Sequence, residues 1–590
     1  MPESLVYRRL RAPGENNQLL CEPPRAQIPA TVQGNRQQMS QACESATAGE
    51  TDSVFNLAEV RRMVRGDLLR LAVRFTRRYA PWEIGDSPVI DPGLAALKSI
   101  VSEQDDREFA QRSDSGSPGS DIGGADPQVP LLVSGHQPEL YHAGVWAKSF
   151  ALDCFSRDVH GVGIQVNIDN DLCRTPAIKV PTGSLADPRA TYVPFDRAAE
   201  ATPFEERKIL DREIFDSFPN RVTAALRGVI ARPLVQELWP RARQAADRGA
   251  GLGASIAEAR HRLELEWGLR TIEVPLSWLC ETPGFACFAQ HLLARAGEVQ
   301  IVYNESLEAY RRVHRLRSPA QPLPDLQRRD GFYETPFWIW TKFAPSRRPL
   351  WVQLGSKQWI LSDGRSQVAQ IPAGPSSGQG AGMAAAGTGV GFGAWSEMWR
   401  AGIRVRPRAL ATTIFLRVFA ADLFIHGIGG AKYDQVTDLL IARLWHIPPP
   451  RFATVSATLR LPVSLPQVTR RQLTELTGEL RQMNFHPENF LPPDVVSQSQ
   501  VSRSIAEKKS WWKSEIPRRR RKTQHRRIEA INAFLRGFLE EDCSRIEQSR
   551  SILVKQLETV RHLGSREWPF CLFPPDDLRT RLLELLGSAP

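Results

Sequence analysis

Strand-like and helix-like segments alternate between residues 129 and 464, which predicts an α/β protein whose sheet is at least partly parallel. Beyond about residue 465 the apolar residues take up a three–four rhythm, which predicts a carboxyl-terminal arm of long helices. The composition, 42% hydrophobic and 24% charged, is that of a chain able to build a substantial core and excludes wholesale disorder.

In chain order, residues 1–54 are rich in Pro, Gln, Ser, Thr and Ala without a sustained period, and are expected to form a flexible tail. Asn56 then caps a helix over 57–79, with Leu57, Val60, Val64, Leu68 and Leu71 on one face and Pro81 as its stop. The Ser-, Gly- and Asp-rich stretch 102–128 reads as a linker, so 55–128 is a helix followed by an exposed connection. The α/β core is expected over 129–464. It opens with a buried strand over 129–134, a helix over 144–157 and a second strand over 163–168. Helices follow over 222–248 and 254–266, then a short extended piece at 271–275. Two aromatic, β-rich runs within 337–360 predict an inserted hairpin or meander. Residues 372–394 are dominated by Gly, Ala and Ser. Gly387, Gly389, Gly391 and Gly393 match neither a dinucleotide nor a Walker spacing, so a loop is expected rather than a phosphate cradle. In the region 465–590, Leu473, Leu476, Leu480 and Met483 set one helical seam. Leu539, Cys543, Ile546, Leu553, Leu557 and Val560 set another, in coiled-coil fashion, suited to packing within the arm or to a homodimer.

The net charge of +11 is local: residues 508–527 carry ten Lys or Arg against Glu515 alone, a net +9. With Trp511 and Trp512 beside it, this run could grip nucleic acid; the alternative is a solvated connection between helices. Eight cysteines without a C-x-x-C pair indicate neither zinc nor a redox dithiol and fit a reducing compartment, so a cytoplasmic location is expected. No signal peptide or membrane span is read, because the most apolar stretch, 409–431, carries Arg417, Asp422 and His426.

Three constellations could carry chemistry. In the first, a strand runs into a loop holding Gly135, His136, Gln137 and His142 and then into a helix with Lys148 one turn in. The helix start and these donors suit a phosphate or carboxylate. The alternative is one histidine capping the turn and the other on the surface. In the second, Asp169 and Asp171 close the next strand. They could hold an amine, a ribose hydroxyl or Mg²⁺, or simply form Asx turns. In the third, Gly427, Gly429 and Gly430 let a backbone approach a ligand, with His426, Lys432, Tyr433 and Asp434 around them. A plain glycine-rich turn is the alternative. No protein-held metal site is expected.

Ser134-Gly135-His136-Gln137-Pro138 with His142, the segment Ile403–Leu410 with its Arg-Pro-Arg408, and His426–Asp434 together resemble motifs of the cysteine-adding enzymes of bacillithiol synthesis, in the same order. The resemblance implies a Rossmann-like core over roughly 130–460, related to class I synthetases and nucleotidylyltransferases, with a helical arm beyond it. It adds Arg408 to the substrate-binding residues. The expected function is a ligase or nucleotidyl-transfer enzyme acting on a small anionic or amine-bearing metabolite. His136, His142 and Lys148 would be catalytic, Asp169 and Asp171 would hold the amine or Mg²⁺, and Gly429 and Gly430 would admit the second substrate. The sequence identifies no cofactor; ATP with Mg²⁺ is the candidate this reading carries. The competing expectation is a nucleic-acid-binding or self-associating scaffold protein that uses the basic arm.

Overall fold

The computed structural model describes residues 7, 10–48, 55–80, 129–318, 320–373, 390–513 and 521–587. The linker expected at 102–128 and most of the Gly-rich loop, 374–389, lie outside these residues. Two sheets organise the chain. Their strands are β1 (Gln18–Glu22), β2 (Leu131–His136), β3 (Val162–Asn167), β4 (Ile272–Pro275), β5 (Arg328–Arg329), β6 (Phe332–Thr341), β7 (Ala344–Leu354), β8 (Gln358–Ser362), β9 (Gln367–Pro372), β10 (Ile403–Pro407), β11 (Leu423–His426) and β12 (Phe452–Thr458).

The first sheet runs β1-β12-β11-β2-β3-β4. All neighbours from β12 to β4 are parallel, and β1 closes the edge antiparallel to β12. Alternate residues of each strand feed opposite cores, as a pleated strand requires. Leu131, Val133 and Phe424 enter one core, while Leu132, Leu423 and Ile425 enter the other. Both faces are therefore covered by helices, which is why these strands read as continuous apolar runs.

The helices that position the site and the arm are α1 (Ile28–Ala48), α2 (Leu57–Arg77), α3 (Ala143–Asp158), α4 (Leu252–Glu266), α5 (Ile428–Leu444), α6 (Arg470–Phe485), α7 (Ser499–Lys513), α8 (Arg521–Arg536) and α9 (Glu540–Leu563). On α2, the Asn56 side chain accepts from the Glu59 N–H at 3.1 Å, the expected cap. Leu57, Val60, Val64 and Leu68 of that helix join the first core with Val436, Leu440 and Ile441 of α5. Trp146 and Phe150 of α3 and Ile256 and Leu263 of α4 line the second core.

The second sheet is antiparallel, in the order β9-β8-β7-β6-β10, with β5 paired to β6. It contains the expected aromatic meander and buries Phe337, Ile339, Leu350 and Val352 in the first core.

Four expectations are corrected. Residues 1–54 are not simply a tail, since β1 completes the first sheet and α1 docks on it. Ile28 and Val32 are buried, and the Asn35 amide donates to the carbonyls of Asp422 and Arg451. A polar helix of this composition is held by such docking rather than by its own periodicity. The helix expected over 222–248 is two, Arg212–Ala225 and Val235–Asp247, broken where Gly228 takes a φ of +88° and Pro233 follows. The end of the Gly-rich stretch is helical, within Val390–Arg400.

The last part of 465–590 is not arm. Trp568, Phe570, Cys571, Leu572 and Phe573 return to the second core beneath the helix Pro575–Leu585. The arm itself is α6 to α9 with two small cores of its own, one of Leu480, Met483 and Ile546, the other of Leu491, Val501, Ile531, Leu535 and Leu539. No helix among the described residues is long and apolar enough to cross a membrane.

Candidate functional site

From β2 the chain builds the first sheet outward through β3 and β4, and it then returns to place β11 and β12 on the other side of β2. The strand order therefore reverses between β2 and β11. Helix α3, which follows β2, lies on one face, and α5, which follows β11, lies on the other. The connections diverge at the carboxyl ends of the two strands, at His136 and at Gly427, the position where open α/β sheets bind ligands.

Lys148 of α3 is buried, with only 4% of its surface exposed. Its Nζ donates to the Gly135 carbonyl at 2.8 Å, and no carboxylate pairs with it among the described residues. A Cβ on Gly427 would stand 3.8 Å from the lysine Cδ, so the side chain lies between the ends of β2 and β11. Burial, reinforced by the Arg260 guanidinium, brings its pKa down to about 7.

His136 donates from Nδ1 to its neighbour's carbonyl, Gln137 O, at 3.0 Å, and its ring meets Tyr141 edge-on at 4.4 Å. Burial, then Lys148, holds it well below the usual histidine range. The ring is therefore neutral at pH 7, and its Nε2 is left as a hydrogen-bond acceptor. His142 stands at the amino end of α3 without capping it. Its Nε2 is 3.7 Å from Glu567 and its buried Nδ1 has no hydrogen-bond partner. Burial brings this ring down to about 4, with Glu567 opposing and Arg566 and Lys148 adding to the shift.

The parallel pairing of β2 with β3, in which His136 faces Asn167, brings the second constellation beside the first. Gln137 Nε2 donates to Asp171 Oδ2 at 3.1 Å, while Asp171 Oδ1 accepts from Arg347 of β7 at 3.0 Å and from its neighbouring Leu172 N–H. Asn170 donates to the Pro407 carbonyl of β10, so the second sheet docks at this edge of the first. Asp169 has a different role from the one expected. Its two oxygens accept from the Ser277 N–H and hydroxyl. Burial and Glu205 push its pKa up to about 7.

In the third constellation the His426 and Asp434 side chains are turned away from the crevice. His426 lies on the first-core face of its strand, with Nε2 2.9 Å from Asp434. Asp434 is also bonded to Arg417 at 2.5 Å, and Arg417 reaches Asp438. Burial would raise the Asp434 pKa, but Arg417 and His426 outweigh it and hold the carboxyl below its ordinary value. A Cβ on Gly430 would lie 2.6 Å from His426 Nδ1, so this glycine allows close packing against that ring. Gly429 and Lys432 are exposed. Arg408 is also structural, since it pairs with Glu334 at 2.7 Å and lies 4.2 Å over Trp338. Roles on substrate expected for Asp169, Arg408, His426 and Asp434 thus meet side chains already engaged within the protein.

One group beneath the site escaped the sequence reading. Arg260 of α4 donates to Glu264 at 2.6 Å and to Glu273 of β4. Trp146 also donates to Glu264, and Asn167 to Glu273. The Arg260–Glu264 pair has the i,i+4 spacing of an ordinary helix surface, and only packing shows it to be buried. His261, Glu264 and Glu273 have ligand atoms close enough for a metal ion. However, Arg260 already bridges the two glutamates, and His261 is held by Tyr79 and the Thr271 carbonyl. No protein-family model matches this chain, and the search of curated proteins finds none similar to it.

Proposed function

We propose that the chain is an enzyme of the ligase or nucleotidyl-transfer type. It would have a Rossmann-like core and act in the cytoplasm on a small metabolite that bears an anionic group and an amine. The observation that carries this reading is Lys148, a buried amine without a carboxylate partner among the described residues, standing where the strand order reverses. Burying an amine costs several kcal/mol unless something offsets it, roughly the scale of a buried ion. A phosphate or carboxylate in the crevice supplies that offset, and the free N–H groups at the amino end of α5 add to it.

In this reading Lys148 holds the anionic group. The Nε2 acceptor of His136 receives a hydrogen bond from the attacking amine or hydroxyl. His142 remains neutral and keeps the wall of the site from adding positive charge. Gln137 and Asp171 bind the amine end, at the seam with the second sheet.

ATP is the cofactor this reading carries, and Lys148 fits its phosphate. Asp169 and Asp171 are not a free pair of carboxylates for Mg²⁺. Asp169 is taken by Ser277, and Asp171 by Gln137, Arg347 and Leu172. Any Mg²⁺ would therefore arrive on the nucleotide.

A thermal-shift panel of nucleoside triphosphates with Mg²⁺, amino acids and aminosugar conjugates tests the reading at about 0.15 M salt. An anionic compound should raise the midpoint in the parent protein and lose that effect in Lys148→Met. No stabilisation by any member, or equal stabilisation of the variant, would overturn it.

A further inference from the structure

The function proposed above leaves the basic arm unused. Most of the chain's excess positive charge lies within residues 508–527. The helices α7 and α8 that carry the described part of it form a hairpin joined by side chains. Gln524 Nε2 donates to the Trp511 carbonyl at 2.6 Å, and Arg527 pairs with Glu507 at 2.5 Å. Lys508 is drawn inward, where it is buried and bonded to Glu488 at 2.6 Å and to the Phe485 carbonyl at 2.7 Å.

Four other cations of the described residues face outward. Lys509, Arg521, Lys522 and Arg526 are exposed, and none has a carboxylate partner among the described residues. Lys522 and Arg526 are one helical turn apart, and Lys509 and Trp512 are likewise neighbours on α7. Trp512 is 59% exposed, and His486 meets its ring edge-on at 5.1 Å.

A ring this exposed, next to unpaired cations, is a stacking surface within a positive field. An anionic bilayer would be met by charge alone or by an apolar helix face. A duplex hides its base faces, whereas a single strand offers both phosphates and unstacked bases. We propose that the α7–α8 hairpin binds single-stranded polynucleotide, with Lys509, Arg521, Lys522 and Arg526 along the phosphates and Trp512 stacked on a base. This surface is independent of the Lys148 crevice.

Fluorescence anisotropy of a labelled oligouridylate about 20 nucleotides long, titrated with the full chain, tests the proposal. Binding should weaken roughly 50-fold between about 50 and about 200 mM salt, as expected for up to four phosphate contacts. The triple variant Lys509→Gln/Lys522→Gln/Arg526→Gln should lose most of the affinity and flatten that dependence. Trp512→Ala should weaken binding about tenfold and leave the salt slope unchanged. All four side chains are exposed, so an unchanged thermal midpoint serves as the folding control. Three results would overturn the proposal: no saturable binding, full affinity in the triple variant, or an affinity for heparin or phosphatidylserine vesicles equal to that for the oligonucleotide and indifferent to Trp512.

Discussion

Gln137 and Asp171, thirty-four residues apart, meet at 3.1 Å, which joins the loop after β2 to the loop after β3. Arg347 of the second sheet completes the contact from the other side. Replacing Asp171 by Ala would leave the Arg347 guanidinium, 12% exposed, without its carboxylate. Such a loss costs about 1–3 kcal/mol of stability. The expected outcome is a lower urea midpoint together with a KM raised about tenfold for the amine-bearing substrate. An unchanged KM would separate Asp171 from substrate binding.

Lys148 makes stability depend on pH in a defined direction. Its folded pKa, about 7, lies below the ordinary value of 10.5, so between these pH values the unfolded chain binds more protons than the folded one. Stability therefore rises with pH across that window, by at most about 1.4 kcal/mol per pH unit from this group. Lys148→Met should raise stability at pH 7 and remove this part of the slope. Urea unfolding of both proteins from pH 7 to pH 10 reads the difference directly.

His426, Asp434 and Arg417 form a buried network that anchors α5 to the first core. Asp434→Ala removes the buried carboxylate that Arg417 and His426 share and leaves the guanidinium with Asp438 alone, a loss of about 1–3 kcal/mol. The expected result is a fall in the thermal midpoint. The fraction of the variant that remains folded should bind the anionic ligand with the parent's affinity. If it did not, the third constellation would belong to the site after all.

Gly144 lies where a Cβ would come within 2.0 Å of the Ala457 carbonyl oxygen and 2.9 Å of Arg566. Backbone atoms of β12 cannot move aside cheaply, so Gly144→Ala should destabilise by at least about 2 kcal/mol. Gly429→Ala is the control, because no atom lies within 4 Å of its Cβ position. Parallel denaturant curves of the two variants would show whether the close approach of α3 to β12 is required.

The amino-terminal segment is part of the folded core, so Ile28→Ala should cost about 2–5 kcal/mol, as for other buried Ile truncations. A stability unchanged by this substitution would return residues 1–48 to the status of a tail.

Several features were legible from local chemistry. Asn56 stands before an apolar three–four repeat, so both the cap and the inward face of α2 could be read from neighbouring residues. The apolar runs of β2 and β3, with α3 between them, announced a parallel pair for the same reason, and the pair brings Asp171 beside Gln137. Other features were not legible. Ile28, Val32 and Asn35 look unremarkable in a segment rich in Gln and Ala, because Ile28 and Val32 pack into the second core and the partners of Asn35, Asp422 and Arg451, lie 387 and 416 residues away.

The polar groups around the crevice divide in the same way. The sequence alone determined which residue types stand at the carboxyl ends of β2, β3 and β11, since strand and helix periodicity place them there. Only the tertiary structure decided which of them remain available. Asp169 is taken by Ser277, Asp434 by Arg417 and Arg408 by Glu334, whereas Lys148 is buried without a carboxylate among the described residues. The physical reason is that periodicity depends on a residue's near neighbours, whereas burial and charge pairing depend on groups brought together from distant parts of the chain.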